Sequence, residues 1–114
     1  MNVELAIFSG RPNPSWQLSA REINELTSRL SGLPPFGLPG TASALGYRGF
    51  IVSNPEESGG LPARIQVYNG IVSVERSGQM NFYQDANHLE RWLLDCARSH
   101  GYGSIIDQLI DGGI

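Results

Sequence analysis

The stretch Ala-Arg-Ile-Gln-Val-Tyr-Asn-Gly-Ile-Val-Ser-Val-Glu-Arg, residues 63–76, decides the fold. Asn69-Gly70 separates two runs rich in β-branched residues, which is typical of a type I′ hairpin turn. A two-residue turn fixes the register of the two strands. The opposed pairs are then Tyr68–Ile71, Val67–Val72, Gln66–Ser73, Ile65–Val74 and Arg64–Glu75. One face of the hairpin is therefore apolar and the other is polar.

The N-terminal half of the chain predicts a strand, a helix and a second strand. Apolar and polar residues alternate over residues 2–7, which indicates a half-buried strand. Ser19 and Glu22 have the spacing of a capping box, so we place a helix at about residues 20–31. Residues 47–53 have the composition of another strand.

The C-terminal third predicts two helices. Asp85 can cap the first of them, and residues 104–110 have the pattern of a second, short amphipathic helix. A further short strand at 80–83 is an open alternative. The apolar stripe of the first helix consists of Leu89, Trp92, Leu93 and Cys96.

These segments predict an α/β (α+β) sandwich that occupies residues 1–114 as one compact domain. We expect a mainly antiparallel four-stranded sheet packed with two to three helices, in the order β-α-β-β-β-α-α. The length of 114 residues and an apolar share of 40% are sufficient for one real core. The strand order beyond the hairpin stays open.

The composition excludes several kinds of site and partner. All eight cationic residues are arginine, so no lysine is available for Schiff-base or phosphate-loop chemistry. A net charge of −3 argues against nucleic-acid binding. The single cysteine, Cys96, excludes an intrachain disulfide and a thiolate metal cluster, and we expect no cofactor.

The N-terminus has no recognisable signal peptide, and no apolar run approaches the roughly 18 residues that would span a bilayer. We therefore expect a soluble, cytoplasmic protein that binds neither membrane nor nucleic acid. Secretion after removal of a leader stays open.

Two features could carry catalysis, and each has a structural alternative. Asp85 and His88 could form an acid–base pair, because residues three apart lie on the same helix face. The alternative is a capping arrangement at the start of the helix. Cys96 lies late in a helix on the apolar stripe, which favours a core role over that of a nucleophile.

The most unusual surface segment is residues 8–16, where two prolines stiffen the backbone. The segment presents a guanidinium, a carboxamide and an indole, which suit the hydroxyls and the C–H face of a sugar. An aromatic–arginine pair follows at 47–48. The predicted ligand contacts are Arg11, Asn13, Trp16, Tyr47 and Arg48. The alternatives are that Trp16 packs over the first helix and that Arg11 binds backbone carbonyls.

Three strings of the chain resemble segments of small mushroom proteins. They are Phe-Ser-Gly-Arg-Pro-Asn-Pro-Ser-Trp (8–16), Leu-Gly-Tyr-Arg-Gly-Phe (45–50) and Tyr-Asn-Gly (68–70). The resemblance implies a glycan-binding lectin with an α/β-sandwich fold. It covers scattered segments and transfers no binding residue to this chain.

The leading hypothesis is a non-enzymatic carbohydrate-binding module whose partner is a glycan or another small polar ligand. A homodimer would raise its avidity. The C-terminal apolar residues are the candidate dimer surface, or else the last core helix. They are Ile105, Ile106, Leu109 and Ile110.

Two other functions stay open. One is a small acidic protein that neutralises a toxin or an enzyme, in the manner of an immunity protein or inhibitor. Its acidic residues would be Glu56, Glu57, Asp107 and Asp111. The other is a small hydrolase or isomerase that uses Asp85 and His88.

Overall fold

The computed structural model describes residues 1–7, 13–36 and 49–111, with side chains up to residue 107. Within these residues, six strands form one antiparallel sheet in the order β2-β1-β3-β4-β5-β6. The strands are β1 (Asn2–Leu5), β2 (Ser15–Gln17), β3 (Phe50–Ser53), β4 (Arg64–Tyr68), β5 (Ile71–Arg76) and β6 (Gln79–Gln84).

The prediction of a four-stranded sheet is wrong, because one further strand lies at each edge. β2 is three residues long and follows Pro14, whose carbonyl accepts the N–H of Leu5 at 2.9 Å. β6 is largely exposed and shows little period-two alternation of burial. An edge strand pairs on one side and faces solvent, so it needs neither length nor an apolar stripe. The end of the segment 8–16 is therefore part of a short edge strand, which the sequence did not predict.

The central hairpin has the register that its sequence predicts. Ile65 opposes Val74, Val67 opposes Val72, and Arg64 opposes Glu75. Asn69 and Gly70 both have positive φ, 53° and 79°, as a type I′ turn requires. The prediction of this hairpin is confirmed.

In the described part of the chain, three α-helices cover one face of the sheet: α1 (Ala20–Leu30), α2 (Leu89–Ala97) and α3 (Gly103–Asp111). The capping box expected from Ser19 and Glu22 is present at the start of α1. A π-type turn joins α2 to α3, with Gly101 at φ 95°. The two form one long helical segment with a kink at this glycine.

The core lies between the helices and the inward face of the sheet. Leu26 of α1, Leu93 of α2 and Ile106 of α3 are fully buried in the same cluster as Ile65 and Val67. Ile106 is therefore a core residue, in agreement with the alternative of a last core helix and not with a dimer surface. The side chains of Leu109 and Ile110 lie outside the described residues, and a homodimer stays a prediction.

No helix within the described ranges has the length and the apolar character that a membrane span requires.

Gly49 shows how closely two strands approach at the end of the sheet. It has φ 85°, and its carbonyl accepts the N–H of Ala6 at 2.9 Å. A Cβ at this position would lie 2.0 Å from the carbonyl oxygen of Val67 and 2.7 Å from the Cβ of Tyr68. Only glycine fits there.

Gly49→Ala is expected to lower the free energy of unfolding by about 3 kcal/mol, the sum of the left-handed backbone cost and overpacking. Gly78→Ala is the matched control, because Gly78 has φ 80° and a Cβ added to it would have no neighbour within 4 Å. It should cost about 1–2 kcal/mol. Urea denaturation measures both values. Equal losses in the two variants would contradict the close approach at Gly49.

Candidate functional site

The structure places two of the five predicted ligand contacts, Asn13 and Trp16. The Oδ1 of Asn13 accepts the N–H of Ile7 at 3.1 Å, and its Nδ2 donates to Glu4 Oε2 at 2.6 Å. These bonds brace the connection between β1 and β2. Its carboxamide is therefore engaged within the chain. The other three contacts, Arg11, Tyr47 and Arg48, lie outside the described residues.

Trp16 is buried, with 7% of its surface exposed. Its ring meets Phe50 edge-on at 6.2 Å between centroids and stacks on His100 at 5.4 Å. The expectation of an open indole for sugar stacking is wrong for this structure. Trp16 has a packing role, as the alternative expected, but it packs against Phe50 and the turn between α2 and α3 and not over α1.

Two side-chain contacts, which we call the latch, hold that turn over Trp16. Nε2 of His100 lies 3.1 Å from Oε2 of Glu22, and the hydroxyl of Tyr102 donates to the carbonyl of Ser15 at 3.2 Å. Burial raises the pKa of Glu22, but hydrogen bonds from Ser19 and the nearby His100 outweigh it and leave the pKa below the usual 4.5. The carboxylate form of Glu22 therefore stabilises the folded chain.

The lowered pKa of Glu22 predicts a pH dependence of stability. Because the pKa of Glu22 is lower in the folded chain, the unfolded chain binds more protons near this pKa. The contribution of Glu22 is present above about pH 4.5 and is lost as the pH falls through the folded value. Glu22→Gln should therefore lose less stability than the native chain between about pH 6 and pH 3.

Urea titrations at a series of pH values measure this difference. Glu56→Gln, a change at an exposed loop carboxylate, is the control and should follow the native chain. A Glu22→Gln curve parallel to that of the native chain would contradict the lowered pKa of Glu22.

Asp85 is a helix cap in this structure. Its Oδ1 accepts the N–H of Leu89 at 2.6 Å, and its Oδ2 accepts the N–H of Glu90 at 2.9 Å. His88, at φ 55°, ends the turn that leads into α2. Both carboxylate oxygens of Asp85 are engaged with backbone donors, so the geometry supports the capping alternative rather than an acid–base pair.

Cys96 is 6% exposed and lies in the core cluster. Burial, together with the nearby Glu22, raises the pKa of its thiol to about 12. A thiol with this pKa carries almost no thiolate at neutral pH, so Cys96 has the properties of a core residue and not of a nucleophile.

The native chain should therefore react slowly with a thiol reagent at pH 8, and the urea-unfolded chain should react rapidly. Absorbance at the released thiolate of Ellman's reagent gives both rates. Native and unfolded rates within about threefold of each other would show that the thiol is accessible.

A groove of about 280 Å³ lies beside the start of α2 and is lined by Arg29, His88, Arg91, Trp92 and Asp95. We call it the α1–α2 groove. Asp95 follows Arg91 by four residues and Trp92 by three, which places these three on one face of α2, and His88 is the residue directly before the helix. Trp92 is partly exposed, whereas Arg91 and Asp95 are exposed.

Reciprocal hydrogen bonds fix the position of α1 against α2 at this groove. A guanidinium N–H of Arg29 donates to the carbonyl of Asn87 at 2.6 Å. The carboxamide of Asn87 donates in return to the carbonyls of Arg29 at 2.9 Å and Ser31 at 3.2 Å. The end of α1 and the start of α2 are thus tied together on both sides.

The guanidinium of Arg29 also contacts Glu25 on α1 and the indole of Trp92 on α2. Its Nε lies 3.2 Å from Oε2 of Glu25, and its Cζ lies 5.8 Å from the ring centroid of Trp92. The contact to Glu25 is an ion pair without good hydrogen-bond geometry at Nε. Together, the five groove residues present an aromatic surface, two guanidinium groups, an imidazole and a carboxylate.

The sequence assigned Trp92 to the apolar core stripe, so it did not identify this groove. The spacing of His88, Arg91, Trp92 and Asp95 was a signal that could have found one wall. The contribution of Arg29 could not have been found, because it comes from a helix nearly 60 residues away in the chain.

The part of the chain that the structure describes contains no group of three or more histidine, cysteine or acidic residues that could hold a metal ion. Comparisons with protein families, with curated proteins and with solved structures found no match to this chain.

Proposed function

We propose that this protein is a non-enzymatic carbohydrate-binding protein, with the α1–α2 groove as its binding site. The observation that carries the proposal is the partly exposed indole of Trp92 in a groove that also contains hydrogen-bond donors and acceptors. The groove volume of about 280 Å³ lies just below the usual range of small-molecule sites, which suits a ligand as small as one sugar ring.

The chemistry of the groove matches that of a sugar. A sugar ring has an apolar C–H face that packs on an aromatic ring, and hydroxyls that both donate and accept hydrogen bonds. Arg91 supplies donors, Asp95 supplies an acceptor, and His88 supplies one of each when neutral. Arg91 and Asp95 are four residues apart on one helix face, so a pair of adjacent hydroxyls can meet both.

The groove is largely formed before a ligand binds. Arg29 is held by the carbonyl of Asn87 and by Glu25, and Asn87 is held in return by two carbonyls at the end of α1. A side chain already held in place loses little conformational entropy on binding. This favours a binding role even for a small, polar site.

The proposed ligand is still a carbohydrate, but its site is the α1–α2 groove and not the proline-rich segment at residues 8–16. Trp16 is buried and Asn13 is bonded within the chain, so neither supports a sugar site in the proline-rich segment. Arg11, Tyr47 and Arg48 stay candidate contacts that lie outside the described residues. The resemblance to mushroom lectins covers only short segments of sequence. It supports a carbohydrate as the ligand but does not indicate where the ligand binds.

Neither alternative function gains support from a specific observation. Asp107 forms an ion pair with Arg98 at 2.7 Å, and Glu57 accepts the N–H of Ser77 at 3.2 Å, so these acids do not form a free acidic face. Asp85 caps α2, so the pair with His88 lacks a free base.

The test is a glycan array followed by calorimetric titration of the strongest glycan. Arg91→Ala and Asp95→Asn, both at exposed positions, should each weaken binding at least tenfold, or about 1.4 kcal/mol. Arg21→Ala is the matched control, because Arg21 is an exposed arginine on α1 away from the groove. Its affinity should equal that of the native chain.

Three results would contradict the proposal. One is the absence of any retained glycan, and another is an equal loss of affinity in Arg91→Ala and Arg21→Ala. The third is a loss in Arg11→Ala with none in Arg91→Ala, which would place the site in the proline-rich segment. Capture of one stoichiometric protein partner, unaffected by free sugars, would favour the neutralising function.

A further inference from the structure

A second cavity, of about 240 Å³, lies on the helix side of the sheet between the end of α1 and strands β5 and β6. It is lined by Arg76, Tyr83 and Gly32 and by four apolar residues: Leu30, Leu33, Pro62 and Val74. We call it the β5–β6 pocket. It shares no lining residue with the α1–α2 groove.

The pocket exists because the sheet is wider than the helix layer. Val74, Arg76 and Tyr83 lie on the inward face, since Val74 and Val72 are buried and Val72 opposes Tyr83. Val74 is 5% exposed and Leu33 is 9% exposed, whereas Tyr83 is only partly covered. The pocket therefore has a buried apolar base at Val74 and Leu33 and is open to solvent on the side of Tyr83.

One wall of the pocket is fixed by a buried asparagine. Asn54 is 5% exposed, and its Nδ2 donates to the carbonyls of Ser58 at 3.2 Å and Leu61 at 3.3 Å. These bonds hold the loop that carries Gly60, whose carbonyl accepts an N–H of Arg76 at 2.7 Å. The guanidinium is thus anchored at the rim through one of its five donors, which leaves it donors for a ligand.

The opposite wall is pinned to β6. The N–H of Gln84 donates to the carbonyl of Pro34 at 2.8 Å, and the N–H of Phe36 donates to the carbonyl of Phe82 at 2.9 Å. These bonds hold the segment after Leu33 against the edge strand. Both walls are therefore set by hydrogen bonds before a ligand enters, which lowers the entropic cost of binding.

The charge at the rim indicates the class of ligand. Within the described part of the chain, no carboxylate lies within 4 Å of the Arg76 guanidinium. An arginine beside an apolar floor is complementary to a carboxylate attached to an apolar body, because the planar guanidinium binds both carboxylate oxygens. A neutral apolar molecule could not use the remaining donors of this guanidinium.

We propose that the β5–β6 pocket binds a small apolar monocarboxylate, with the apolar body on Val74 and Leu33 and the carboxylate on Arg76. Tyr83 lines the open side and packs against a planar body. This site is independent of the carbohydrate proposal, because it lies elsewhere on the molecule and takes a different ligand class.

The test uses the full chain and sodium phenylacetate, followed by amide chemical shifts in solution. Phenylacetate should shift amides of the pocket lining, above all those of Leu33, Val74 and Tyr83, and leave the groove residue Arg91 unchanged. Phenylacetamide has the same shape without the charge and should bind at least tenfold more weakly. This comparison needs no variant, so it stands even if a substitution disturbs folding.

Two variants complete the test. Arg76→Gln should weaken phenylacetate binding at least tenfold. Arg64→Gln is the matched control, an exposed arginine on the neighbouring β4 that does not line the pocket, and it should leave the affinity unchanged. Thermal melts confirm that both variants fold.

Several outcomes would overturn the proposal. These are no shift in the pocket lining at tens of millimolar phenylacetate, equal affinity for the acid and the amide, or equal losses in Arg76→Gln and Arg64→Gln. Shifts confined to the α1–α2 groove would also overturn it, because they would assign the carboxylate to the other site.

Discussion

The alignment of apolar side chains across neighbouring strands is the constraint on which the rest of the structure depends. Val3 opposes Val52, Val52 opposes Ile65, and Ile65 opposes Val74, so one buried row crosses four strands. A slip of one residue in any pair would turn that strand's apolar side chains towards the other face. The register therefore determines which face of the sheet receives the helices.

The helix layer follows from this row and creates both candidate binding sites. The helices pack on the apolar face, and the bonds between Arg29 and Asn87 then set α1 against α2. The α1–α2 groove forms beside this contact between the two helices, where Trp92 stays partly exposed. The second pocket forms where the same layer ends short of β6, above Val74. Each site is thus a boundary of the helix layer rather than a feature of one loop.

The two tryptophans show why the site was harder to predict than the fold. The sequence placed Trp16 on an exposed loop and Trp92 in the core, whereas in the structure Trp16 is buried and Trp92 is only partly buried against the core. Trp16 lies on the inward side of an edge strand and is covered by His100 and Tyr102, more than 80 residues away. Local pattern carries no information about such a contact, because it depends on where the chain returns. The position of α1 beside Trp92 likewise depends on contacts between residues far apart in the chain.

The sequence by itself determined the features that depend on neighbours a few residues apart. The Asn69-Gly70 turn sets the hairpin register, and Ser19 with Glu22 sets the start of α1, because turn and cap geometry are local. Only the tertiary structure decided the edge strands, the burial of Trp16 and the two cavities. Edge strands need no strong pattern of their own, and a cavity is bounded by side chains that only folding brings together.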